Sequence, residues 1–155
     1  MPNSKIHGTW VITLVGNVLV RTTAGNFNET GTQACYEETK TKVPHATPWA
    51  GLTNASHWEL STSASLKTFP TMRNWAFENG CVCVAVVIPS PLHTEIHRRQ
   101  TGNFPPDMVS YFATLEDACT WLTEKGFPFT PNDYPHNAFV EKIKKAKNAD
   151  SDRKA

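Results

Sequence analysis

GCVCVAVVIPSPLHTEIHRRQTGNFPPDMVSYFATLEDACTWLTEKG, residues 80–126, is the stretch on which the fold can be read. "CVCVAVVIP", from Cys81 to Pro89, is apolar at consecutive positions, which predicts an interior strand covered on both faces. Leu92 and Ile96 stand one turn apart and give the next segment a helical apolar edge that ends near Gly102. "DMVSYFA" supplies another strand. "TLEDACTWLTEKG" has the strongest helix signature in the chain. Thr114 and Asp117 form a near capping box, and Leu115, Ala118, Cys119 and Leu122 share one face. Gly126 stops it, with Lys125 in the last turn.

The pattern extends upstream. Trp10–Val15 and Val18–Thr23 are β-rich runs separated by Gly16-Asn17, which predicts a hairpin. A helix over about Asn28 to Lys42 follows, with Asn28 as N-cap and Gly31 weakening its first turn. "WAGLTN" reads as a short strand. "HWELSTSASLKTFPTMRNWAFENG" starts polar and becomes a helix, with Pro70 expected to kink or split it. Strands and helices alternate after the hairpin, which predicts an α/β domain with a partly parallel sheet and helices stacked mainly on one face.

The totals narrow the classes. A chain of 155 residues suits one domain, and 15 basic against 14 acidic residues give no global pull toward nucleic acid or an anionic membrane. No apolar run reaches the roughly 20 residues that span a bilayer, and "MPNSKIHGTW" lacks the apolar core of a secretory signal. A cytoplasmic protein is expected. Its four cysteines lack zinc-knuckle spacing, and the C-x-C pair Cys81 and Cys83 should point to one face of its strand as buried free thiols.

"VGNVLVRTTAGNFNETG", then "NGCVCVAVVIPSPLHTEI" and "VSYFATLEDACTWLTEKGF", together resemble the SpoIIAA-like, STAS-type domain family over residues 8–127. The resemblance implies a bacterial single domain with a mixed sheet of 4–5 strands opened by a hairpin. It further implies a non-enzymatic regulatory or interaction module that acts by binding a protein partner, without a cofactor and compatible with a homodimer. In anti-sigma-factor antagonists of that superfamily, a serine in an Asp-Ser-Ser-Gly segment at a helix start is phosphorylated. The corresponding region, "ELSTSASLK", offers Ser61, Thr62, Ser63 and Ser65 but neither that aspartate nor that glycine. These four residues read either as helix capping or as a helix N-terminal binding surface.

Two other groups bear on function. His93 and His97 share a helix face, but Thr94 occupies the slot where a zinc protease has its glutamate, and no third ligand is evident among His7, His45, His57 and His136. A solvated basic face beside Arg98 and Arg99 is expected, with no metal. Trp49 and Trp58 flank the weak strand and read as core or as walls of an apolar groove between helices and sheet. That groove carries the alternative reading, a small-ligand or lipid-binding domain. The domain is expected over residues 1–130, with 131–155 a C-terminal extension of one short basic helix and a frayed end.

Overall fold

The computed structural model describes residues 5–44, 47–102 and 104–154, leaving aside the side chains of Leu66 and 151–154. Val18, Leu19 and Val20 are all buried, so their strand must be covered on both faces. It lies second in a five-stranded sheet of order β1-β2-β3-β4-β5. The strands are β1 (Thr9–Val15), β2 (Val18–Phe27), β3 (Trp49–Ser61), β4 (Cys81–Val87) and β5 (Val109–Phe112). β1 and β2 form the expected antiparallel hairpin, and every later pairing is parallel. Gly16 makes the turn at φ +59°, a backbone conformation that a side chain resists.

Because the strands are laid down in sequence order, successive crossovers of one hand put their helices on one face. α1 (Glu29–Lys42), α2 (Thr68–Glu78) and α3 (Pro91–Thr101) occupy it. α4 (Leu115–Glu124) covers the other face, with Ala118, Cys119 and Leu122 against Val20, Leu52, Cys83 and Ala85. Thr114 caps α4 by accepting from the Asp117 amide, and Asn28 caps α1 by accepting from the Gly31 amide. Gly31 has a packing reason: a Cβ there would lie 2.0 Å from the His7 carbonyl oxygen.

Three local expectations are corrected. "WAGLTN" is the first half of a 13-residue strand, β3, which bulges twice against β2 between Asn54 and Ser61. Asn54 supports the first bulge by accepting from the Ser56 amide and hydroxyl. Pro70 neither kinks nor splits α2, because it sits in the first turn, where amides have no helical partner anyway. Finally, Cys81 pairs with Trp49 while Cys83 pairs with Ala50, so β4 bulges at Val82 and the two thiols face opposite sides of the sheet.

Beyond α4 the chain returns across that same face. Phe127, Phe129, Tyr134 and His136 are buried there, and α5 (Asn137–Lys154) leads away as an 18-residue, largely exposed helix. No helix among the described residues is long and apolar enough to cross a membrane.

Candidate functional site: a cavity beneath the crossover helices

Between the sheet and α1–α3 lies a cavity of about 80 Å³, room for several waters or a small molecule. Helical spacing builds its roof. α1 contributes Thr32, Cys35 and Thr39, α2 contributes Phe69, Met72, Arg73 and Ala76, and α3 contributes His97 and Thr101. Strand alternation builds its floor, with Leu19, Arg21 and Thr23 from β2 and Trp49, Gly51 and Thr53 from β3. Trp58 lines it too, so both tryptophans expected at a groove meet in one cavity, at 2% and 5% exposure.

The walls are mainly apolar, yet two arginines reach in. Arg21 donates to the hydroxyls of Thr39 and Thr53 at 3.3 and 3.4 Å. Arg73 is 6% exposed; burial pulls its pKa down to about 10, with Arg21 adding to the effect, and it remains cationic at neutral pH. Among the described residues no carboxylate lines the cavity. Sequence reasoning missed Arg73, although it sits beside Met72 and Ala76 in the apolar stripe of its own helix.

His97 is the main correction. The expected solvated histidine face does not form, because His97 is buried while Leu92 is exposed. Its ring meets Trp58 edge-on at 5.2 Å and Nδ1 hydrogen-bonds the Tyr111 hydroxyl at 3.0 Å. Burial first, then Arg73 and Arg21, hold its pKa down to about 3, so the ring is neutral. His93 instead bonds the Ser90 N-cap hydroxyl at 3.0 Å. Among the described residues no three His, Cys, Asp or Glu side chains converge on a metal position, and His45 lies outside those residues.

The 61–65 segment is not the first turn of α2. Ser61 ends β3, Ser65 opens a single 3-10 turn, and α2 starts later at Thr68 with no side-chain cap. Thr62 and Ser63 are exposed, whereas Ser65 is fully buried. The segment is tied to the cavity wall. Ser61 accepts from the Trp58 indole at 3.1 Å, and the Phe27 carbonyl accepts from the Thr62 amide at 2.9 Å and the Ser65 hydroxyl at 3.4 Å.

All four cysteines are buried and unbridged. Burial raises each thiol, Cys81 to about 12 and Cys119 to about 11, which keeps them protonated and poor nucleophiles.

No family model matches the chain, and no curated protein does. Solved structures do. An uncharacterised DUF3478-family protein with a SpoIIAA-like fold from Shewanella loihica PV-4 matches at TM-score 0.56 and 15% identity, over 79% of this chain and 98% of that one. The murine Solute Carrier 26 family member A9 anion transporter matches at TM-score 0.56 and 12% identity, over 77% of this chain and 22% of the transporter. An anti-sigma factor antagonist from Mycobacterium paratuberculosis matches at TM-score 0.49 and 21% identity, over 77% and 95%. The chain has a SpoIIAA-like, STAS-type fold.

Proposed function

We propose that the chain is a non-catalytic regulatory module whose cavity holds a small, largely apolar ligand and whose adjoining 61–65 segment contacts a protein partner. The observation that carries this reading is the direct bonding of that segment to Trp58 and Phe27, which also wall the cavity. A ligand that shifts the Trp58 ring pulls on Ser61 directly, while the Phe27 backbone carbonyl anchors Thr62 and Ser65, which couples cavity and surface. Catalysis has little support, since the thiols are protonated and the neutral His97 is committed to Tyr111. Unbridged buried thiols fit a reducing, cytoplasmic setting.

Native mass spectrometry of the protein purified without denaturation tests the reading. A bound small molecule is expected, and it should be absent from Ala76→Phe, which fills the cavity. The partner captured by the wild type in a pull-down should be captured less well by that variant. A bare protein mass, with capture indifferent to Ala76→Phe, defeats the proposal.

A further inference from the structure

A buried arginine ordinarily faces a carboxylate, because taking an unpaired charge out of water is expensive. Arg73 does not. The ion pairs among the described residues are Glu37–Lys40, Glu95–Arg98, Glu95–Arg99 and Glu141–Lys144, all on helix surfaces. No described group accepts a hydrogen bond from its guanidinium, which reaches the cavity instead of being sealed in apolar packing. Among the described residues Arg21 donates to the two threonine hydroxyls, and Glu38, bonded by the Trp10 indole at 3.3 Å, does not line the cavity. Tyr111, on the α3 side, is shared by His97 and Thr101. The cavity thus concentrates positive charge within apolar walls and contains nothing of its own to neutralise it.

We infer that the ligand is a small carboxylic acid with an apolar body, its carboxylate bound by Arg73 and flanked by Arg21, its body against Trp49, Trp58 and Phe69. This rests on the ligand-binding reading above and adds the chemical class. A guanidinium offers a planar fork that matches a carboxylate in two parallel hydrogen bonds. The aromatic and aliphatic walls suit a hydrocarbon body and penalise a strongly hydrated inorganic anion, which would lose its water without enough donors in return. The neutral His97 adds no third cation to the two arginines.

Isothermal titration of the full-length protein with hexanoate, 1-hexanol and sulfate tests this. Hexanoate should bind at least about tenfold more tightly than hexanol, the ratio one hydrogen bond to a charged group supplies. Sulfate should bind far more weakly than hexanoate. Arg73→Met should erase the preference for hexanoate while still binding hexanol, and Arg73→Lys should weaken hexanoate several-fold by losing the fork. Should Arg73→Met fail to fold, the wild-type comparison and Arg73→Lys decide. Equal affinity for hexanoate and hexanol overturns the carboxylate and leaves the apolar cavity standing. Sulfate binding as tight as hexanoate replaces it with an inorganic anion. Binding of none of the three overturns both this inference and the ligand-binding reading.

Discussion

The Tyr134 hydroxyl lies 2.5 Å from the Thr22 hydroxyl, across 112 positions of sequence. The pair belongs to a buried polar chain. Asn54 donates to the same Tyr134 oxygen at 2.9 Å, while His136 bonds Thr22 at 2.8 Å and Thr13 at 2.9 Å. Each member is satisfied by another, which is what makes polar groups tolerable beneath α4. Tyr134→Phe should cost about 1–2 kcal/mol, since it leaves Thr22 and Asn54 short of a partner. Removing residues 137–155 should lower the urea midpoint only slightly, through the lost packing of the partly buried Val140. Removing residues 131–155 should cost at least about 3 kcal/mol, as for truncating a large buried aromatic. Equal midpoints for the two truncations would mean that Tyr134 and His136 contribute nothing to the fold.

The two buried histidines set a pH dependence. His97 is held at about 3 and His136 at about 4, both by burial first, against about 6.5 when unfolded. The folded values are depressed, so below the unfolded pKa the unfolded chain binds more protons and acid favours unfolding. This stability is complete above about pH 6.5 and is lost as the pH falls toward the folded values. From about pH 7.5 to about pH 5, unfolding free energy should drop by about 2 kcal/mol per histidine. His97→Gln should remove about half of the fall. A denaturation series that is flat over this range would place both rings in solvent.

The serine segment separates by burial. Ser63 is exposed, so Ser63→Asp should change stability by no more than about 0.5 kcal/mol. Ser65 is fully buried, 3.0 Å from the Thr62 hydroxyl, and donates to the Phe27 carbonyl. Ser65→Asp should therefore cost about 3 kcal/mol or more, because a carboxylate would be buried against acceptor oxygens. Thermal melts of the two variants check this; similar melting temperatures would contradict the buried placement.

Leu122 is fully buried between α4 and the sheet. Leu122→Ala should cost about 2–5 kcal/mol in chemical denaturation. A loss under about 0.5 kcal/mol is a surface value and would detach α4 from the core.

What the sequence made legible was local. The Gly16-Asn17 turn, the Asn28 cap and the Thr114–Gly126 helix depend on neighbours within a few residues, and each stands where it was expected. The full length of β3 escapes the sequence because its second half, "ASHWELS", is polar and bulged, and its pairing with β2 is a long-range event. The burial of His97 escapes the sequence for the same kind of reason. Leu92 and Ile96 predicted which side of α3 faces inward, but Trp58 and Tyr111 arrive from other strands and choose the neighbouring side. The arginines of the cavity left a fainter trace. Val18-Leu19-Val20 already implies a strand covered on both faces, and Arg21, one residue on, must then point toward a covered face.

The buried polar chain also bears on synthesis at the ribosome. Thr13, Thr22 and Asn54 leave the exit tunnel early, and the groups that satisfy them, Tyr134 and His136, leave more than 75 residues after Asn54. Until then the hydroxyls and amide on that side of the sheet keep water as their partner, which opposes closing the face over them. Completion of this polar chain is therefore deferred until Tyr134 and His136 have emerged, after α4 itself has been made.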